Sequence, residues 1–350
     1  IMQGGWLGAT ALGNQLLVIG AILYESIPIW MTWTVFVVAC TISMFTMIFM
    51  LKWLEVTKST VQITTYASYQ GMVERVIVPY FRKRGIKLVD LKATDLQDFY
   101  NKQLERVKAN SVIHYHANIH KALKYAVKID LIPTNPADKV ERPKKNEFKG
   151  SYYSADEIHA LTEVAEGTKL EIPVLLASFY GLRRSEVLGI QWRSIDFSVG
   201  TIQIQHTRVY QEVDDRKVSV GRDTMKQKAS CRTLPMPEEI AAILQEERRN
   251  RYGEETPPPE NYLCLNPEGE PIASNYLSQS FKQFLRDHGL REIRLHDLRH
   301  TCASLLIQRR TPLIEVQQWL GHSTLSTTAD LYAHLEYETK LASAQTLKKI

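Results

Sequence analysis

The sequence predicts a mainly α-helical protein with one small β-sheet, carried in two globular parts behind an apolar segment. Three observations predict it. From Val56 onward, apolar residues recur in stretch after stretch at the spacing of a half-buried helix. Alternation of the strand kind is confined to two short stretches, TIQIQHTRVY (201–210) and CRTLPM (231–236). The chain has 350 residues and 44% hydrophobic content, enough for two packed cores.

Residues 1–50 contain a single charged residue, Glu25. WLGATALGNQLLVIGAILY (6–24) and IWMTWTVFVVACTISMFTMIFM (29–50) are apolar runs separated by ESIP, and the second is long enough to span a bilayer. No basic segment precedes them, so they do not read as a cleaved signal peptide. Two readings compete: a two-span membrane hairpin, or a fused or mis-started reading frame. We expect the second, with residues 1–50 dispensable and a globular protein that can start near Leu51. The rest of the chain holds all 43 Lys and Arg against 37 acidic residues, a net of +6 compatible with a polyanionic partner.

The globular elements follow in order. TTYASYQGMVERVIVPYFRKRG (64–85) is a helix with Gly85 as its C-cap. LKATDLQDFYNKQLER (91–106) is amphipathic, with Thr94 as the N-cap candidate. SVIHYHANIHKALKYAVKIDLI (111–132) is a third helix and stops before PTNP. Together they make a helical bundle over 56–136. ADKVERPKKNEFKGSYYS (137–154) reads as a linker, and its Lys139, Arg142, Lys144, Lys145 and Lys149 can track a phosphate backbone. Ser154 opens the next helix and a second domain, 155–350. There, EIPVLLASFYGLRRSEVLGIQW (171–192) gives one helix into Gly181 and another out of it. The strand at 201–210, a polar loop and the strand at 231–236 come next. Helices are expected at 237–251, at 274–288 (Ser274 as N-cap, Gly289 as C-cap), at 295–309, 312–320 and 326–340.

The four cysteines are scattered, with no C-x-x-C, which excludes a sequence-legible zinc site or disulfide framework and suits a reducing compartment. The chemistry gathers elsewhere. In LHDLRHTCASLL (295–306), Leu295, Leu298, Cys302, Leu305 and Leu306 mark a buried stripe. His296 and Arg299 sit one turn apart at its edge, with His300 beside them. In YGLRRSEVLGIQW, Arg183 follows the Gly181 turn, and Glu186 lies three residues on, able to hydrogen-bond its guanidinium. DTMKQKASCRTLP carries Lys226 and Lys228 before a strand. In WLGHS, Gly321 ends a helix and puts His322 at a corner. In STTADLYAHL, Tyr332 lies on a helix capped by Ser326 or Thr327. Taken singly, each has a plain structural reading: a flank residue, a solvated lysine, a core tyrosine.

Their order resembles the tyrosine recombinases, the phage and transposon integrase family. GLRRSE, LHDLRHT and WLGHS followed by LY match the family's motifs, and the likeness runs from about Val56 to the end of the chain. The N-terminal bundle resembles the family's core-binding domain, and 155–350 its catalytic domain; nothing in residues 1–50 resembles the family. The resemblance implies a clamp on duplex DNA and a metal-free, cofactor-free strand transesterification. Arg183, Arg299 and His322 would hold the phosphate, with Glu186 in support. Tyr332 would be the nucleophile (Tyr337 the next suspect), His296 the base and Lys226 the general acid, Lys228 being the alternative. His300 reads as structural and Cys302 as core. The family implies a homotetramer on two DNA sites, with a DNA-bending or excisionase protein as an accessory, acting in the cytoplasm. A type IB-like DNA-relaxing enzyme and a non-catalytic DNA-binding regulator are the alternatives.

The chemistry asks for the same residue types. A phosphodiester gains charge on its non-bridging oxygens as it is attacked, and guanidinium groups neutralise that charge bidentately. A phenol can form a phosphate ester and leave again.

Overall fold

In a computed structural model, the described residues are 45–146, 151–213, 216–223, 231–266 and 268–325. The chain divides into two compact units, Ile1–Glu147 and Phe148–Ile350.

The first unit is helical. Helix α1 (Thr46–Lys58) buries Phe49, Met50, Trp53 and Leu54. It begins inside the stretch expected as a separate apolar segment, so the end of that run belongs to the globular core and the boundary near residue 50 falls within a helix. Residues 1–44, where the sequence allows a membrane hairpin, lie outside the described residues. Among the described residues no helix is long and apolar enough to cross a membrane. Helices α2 (Ile63–Met72) and α3 (Val78–Arg84) are joined through a π-turn, and Gly85 ends α3 in the left-handed conformation, as its position predicts. Helix α4 (Ala93–Leu104) starts before Thr94. Asp95 accepts from the Lys92 backbone N–H at 2.9 Å, so the cap lies at Lys92 and Thr94 is inside the first turn. Helix α5 (Ala109–Lys128) stops short of residue 132, where Asp130 takes a left-handed φ of 58°.

The segment expected as a free linker is held to this unit at its start. The Asp138 carboxylate meets His120 Nε2 at 2.7 Å, and the Glu141 and Asn146 backbone N–H groups donate to Gln97 and Asn110. Lys139, Arg142, Lys144 and Lys145 are exposed; Lys149 lies outside the described residues.

In the second unit, Ser154 caps α6 (Ala155–Ala165) through a reciprocal pair with Glu157. Helix α7 (Glu171–Ser178) leads into Gly181, and the short α8 (Arg184–Val187) leads out. The stretch read as one strand is two. A three-stranded antiparallel sheet runs β1 (Ile195–Asp196), β2 (Thr201–Ile204) and β5 (Arg232–Pro235), with Ile202 opposite Leu234 and Ile204 opposite Arg232. A separate hairpin, β3 (Thr207–Val213) with β4 (Arg216–Arg222), occupies much of the expected polar loop. The break falls at His206. Its carbonyl lies where a Cβ on Gly189 would stand 2.4 Å away, and its ring is held by Asp223 at 2.6 Å and Tyr262 at 3.1 Å.

Helices α9 (Glu238–Tyr252), α10 (Ser274–Asp287), α11 (Asp297–Gln308) and α12 (Leu313–Leu320) complete the described part. Ser274 is the first helical residue and Ala273 holds the cap position; Gly289 is left-handed as expected. Leu295, Leu298 and Cys302 are buried and Leu305 and Leu306 half-buried, so α11 is anchored by its apolar stripe. The helix expected at 326–340 lies outside the described residues.

Candidate active site

The site is assembled by one tight turn and one helix end. Gly181 takes a φ of 61°, and a Cβ there would stand 2.4 Å from Leu320 Cδ2, so the turn requires glycine. The turn aims the Gly181 carbonyl at Arg299, whose Nη1 donates to it at 2.6 Å. Arg183 occupies the N-cap of α8. Glu186, one turn on, accepts from the Arg183 backbone N–H at 3.0 Å and from its Nη1 at 2.6 Å. The spacing read in the sequence therefore closes as a pair.

The helix end is that of α12. Its last carbonyls have no partner within the helix and carry the negative end of the helix dipole. Three consecutive carbonyls each accept from a different arginine: Trp319 from Arg232 Nε at 2.7 Å, Leu320 from Arg299 Nη2 at 2.7 Å, and Gly321 from Arg183 Nη2 at 3.0 Å. Gly321 then turns the chain at a φ of 67° and presents His322, whose backbone is tied to Gln317 in both directions.

All three arginines face Glu186, whose side chain is 1% exposed. Arg183 is in contact at 2.6 Å, Arg232 at 3.1 Å, and Arg299 Nη1 lies 4.0 Å away. Burial alone would raise the Glu186 carboxyl; Arg232, Arg183 and Arg299 outweigh it and hold it below the ordinary range. Burial, then the neighbouring Arg183, push Arg299 down to about 9, which leaves it cationic at neutral pH. Arg299 is not at the rim of the stripe, as the helical wheel suggested, but buried beneath it.

Both histidines are kept neutral. Burial first, then Arg299 and Arg183, push His322 down to about 3. His296 stands at the N-terminus of α11 with one edge open to solvent, and its ring meets His300 edge-on at 5.2 Å. Burial, then His300 and Arg299, lower it too. His296 lines a cavity of about 920 Å³ whose wall includes Arg184, Ser274, Ser278, Lys282 and Arg294.

Of the residues expected from the sequence, Arg183, Glu186, Arg299 and His322 are brought together, with His296 one turn from Arg299. Lys226, Lys228 and Tyr332 lie outside the described residues. Cys302 is core, as expected. Sequence reasoning missed Arg232, read only as a strand residue. A signal was present: in β5 it shares the inward face with buried Leu234, and a guanidinium pointed into a core needs a carboxylate there.

A mainly helical fold with a small sheet, bearing clustered arginines and neutral histidines on the H-x-x-R helix and the L-G-H corner, defines the tyrosine-type site-specific recombinases as a class of enzyme. This chain belongs to the phage integrase family: the family's profile matches residues 152–339, and that of the phage integrase N-terminal SAM-like domain matches 48–104. It is 30% identical over 319 residues to the tyrosine recombinase XerC-like protein of Caldanaerobacter subterraneus subsp. tengcongensis, covering 85% of this chain and 81% of that one. Among solved structures, the Tn1549 transposon integrase in complex with circular intermediate DNA superposes with a TM-score of 0.69 at 18% identity, over 86% of this chain and 99% of that one. A lambda integrase tetramer bound to a Holliday junction gives 0.59 at 19% identity, over 81% and 76%. These two likenesses establish the fold.

Proposed function

We propose that this protein cuts and rejoins DNA one strand at a time through a 3′-phosphotyrosyl intermediate, and so integrates or excises a mobile element. The observation that carries the reading is the charge balance of the cluster. Arg183, Arg232, Arg299 and Glu186 together carry a net charge of two positive, gathered in a largely buried site. Like charges so placed repel at low dielectric, and an arriving anion relieves them. A phosphodiester is such an anion, and the pentacoordinate state formed on attack carries more charge still, so the cluster favours the transition state over the bound substrate. Arg183, with its side chain 34% exposed, is the open side of the cluster; Arg299 acts from its floor.

The Tyr332 oxygen attacks the scissile phosphorus and the bond to the 5′-oxygen breaks. Neutral His296 takes the phenol proton, and Lys226, or Lys228 in its place, gives a proton to the departing 5′-oxygen. His322, also neutral, donates one N–H to a non-bridging oxygen. The 5′-hydroxyl of the partner strand then attacks the same phosphorus, the phenol leaves, and the ester bond is conserved without ATP. Both units would contact the duplex, with Lys139, Arg142, Lys144, Lys145 and Lys149 along its backbone. Four copies on two sites is the assembly we propose, by likeness to the lambda neighbour. An accessory DNA-bending or excisionase protein fits the same scheme, as does a cytoplasmic location on DNA.

Strand exchange tests the reading. DNA recovered as covalent adduct is sequenced, and the site is placed in two duplexes of different length. Recombinant products are expected. Relaxation of supercoils with no exchanged product would move the protein to the DNA-relaxing class.

A further inference from the structure

We propose that Arg232 is a positioning residue: by bridging the Glu186 carboxylate and the Trp319 carbonyl, it sets the aim of Arg183 and the seat of His322. The inference rests on the proposed reaction for its meaning, and on geometry for its substance.

The geometry is a division of one carboxylate. Glu186 Oε1 is taken by Arg183 Nη1 at 2.6 Å, while Oε2 receives the Arg183 backbone N–H at 3.0 Å and Arg232 Nη2 at 3.1 Å. With Arg232 gone, the whole of that buried charge falls to Arg183 and Arg299. Arg183 is the more open of the two and the one that must turn toward a phosphate, so a stronger hold by Glu186 works against substrate. At its other edge, Arg232 Nε donates to Trp319 O at 2.7 Å, one residue before the carbonyls that hold Arg299 and Arg183. It thus ties β5 to the end of α12, three residues ahead of His322. Trp319 in turn stacks on Tyr180 at 6.1 Å, on the strand of chain entering the Gly181 turn. One guanidinium fork spans both tasks; a lysine, with a single point of charge, can serve one of them.

Arg232 is 6% exposed at its side chain and sits behind Glu186, so it acts through other groups. Removing the partner that orients a metal ligand costs about 10–100-fold in affinity or activity, and a loss on the same order is expected where the oriented group is a guanidinium. The test uses the full chain and its adduct-derived DNA. Arg232→Met is expected to lower single-turnover cleavage at saturating DNA by roughly 10–100-fold, with the DNA dissociation constant within about threefold of wild type. Arg232→Lys should recover part of the rate. Adding Glu186→Gln to Arg232→Met should also recover part of it, since the carboxylate's tightened hold on Arg183 is then gone; a packing defect would not be repaired so. In the DNA-free protein, the His322 imidazole resonances should move in Arg232→Met and return toward wild type in Arg232→Lys. Wild-type cleavage by Arg232→Met with unmoved His322 resonances overturns the inference and leaves the proposed function standing. Failure of the wild type to form any adduct overturns the proposed function, while the His322 resonances still decide the positioning.

Discussion

Replacing Gly181 by alanine should damage stability and catalysis together, and the structure gives the size. Gly181 has a φ of 61°, a conformation that costs a residue with a Cβ about 1 kcal/mol. The new methyl would stand 2.4 Å from Leu320 Cδ2 and 3.2 Å from Cys302 Sγ. Leu320 is fully buried, in a cluster with Cys302, Ala303, Ile307 and Val316, so it has little room to retreat. Overpacking of this kind costs about 1–3 kcal/mol. The sum, about 2–4 kcal/mol, is a large fraction of an ordinary domain's stability of about 5–15 kcal/mol. The displaced Leu320 also carries the carbonyl that holds Arg299, and the Gly181 carbonyl holds the same guanidinium from the other side. Urea denaturation of Gly181→Ala should therefore show the loss in midpoint with the slope unchanged. Single-turnover cleavage, measured where the variant is folded, should fall by more than its residual unfolding explains. A loss below about 1 kcal/mol with wild-type cleavage would refute the reasoning, because neither the strained turn nor the contact with Leu320 could then be as described.

Three further outcomes follow from the same geometry and chemistry. Lys226→Ala should cleave ordinary DNA poorly and recover on a substrate with sulfur at the scissile 5′-bridging position, since a thiolate leaves without a proton; rescue of Lys228→Ala alone would transfer the role to Lys228. A chain starting at Phe45 should fold, whereas one starting at Leu51 loses Phe49 and Met50 from the core, each contributing about 1.5–3 kcal/mol, and should melt well below it; equal melting temperatures would show that α1 does not pack as described. His322 in the DNA-free protein should stay neutral in an NMR titration to below about pH 5. Because its folded value lies below its ordinary 6.5, its contribution to stability is whole above that pH and is lost as pH falls from 6.5 toward 3; a titration midpoint near 6.5 would contradict the arginine environment.

What the sequence could reveal was set by how local the signal is. Gly85, Gly289 and Gly321 are legible because a left-handed helix end depends on a few neighbouring residues, and the Ser154 and Glu157 cap for the same reason. The Arg183 and Glu186 pair is one helical turn long and equally legible. The end of β3 and all of β4 read as loop in the sequence because the hairpin pairs mainly with itself and β4 carries charged residues such as Arg216, Lys217 and Arg222. A helical wheel gave the direction of Arg299 but not its depth, which is set by carbonyls 118 and 21 residues away. Arg232 shows the same limit: strand parity turns it inward, but its partners come from α8 and α12. The start of the globular core is hidden in the sequence because Phe49 and Met50 read as the end of an apolar run, and only packing against the rest of the unit tells a core helix from a span.

The central claim is that a tyrosine of this chain becomes bonded to DNA, and the most direct test is to isolate the bond. The wild-type protein is incubated with DNA carrying a nick near the scissile phosphate, so that the freed end diffuses away and the intermediate accumulates. The adduct is denatured and digested with protease and nuclease, and the nucleotide-bearing peptide is sequenced by mass spectrometry. A 3′-phosphate ester on Tyr332 is expected in the wild type and no adduct in Tyr332→Phe, with DNA binding near normal in both. An adduct that persists in Tyr332→Phe, or one mapped to Tyr337 or to a residue other than tyrosine, would contradict it.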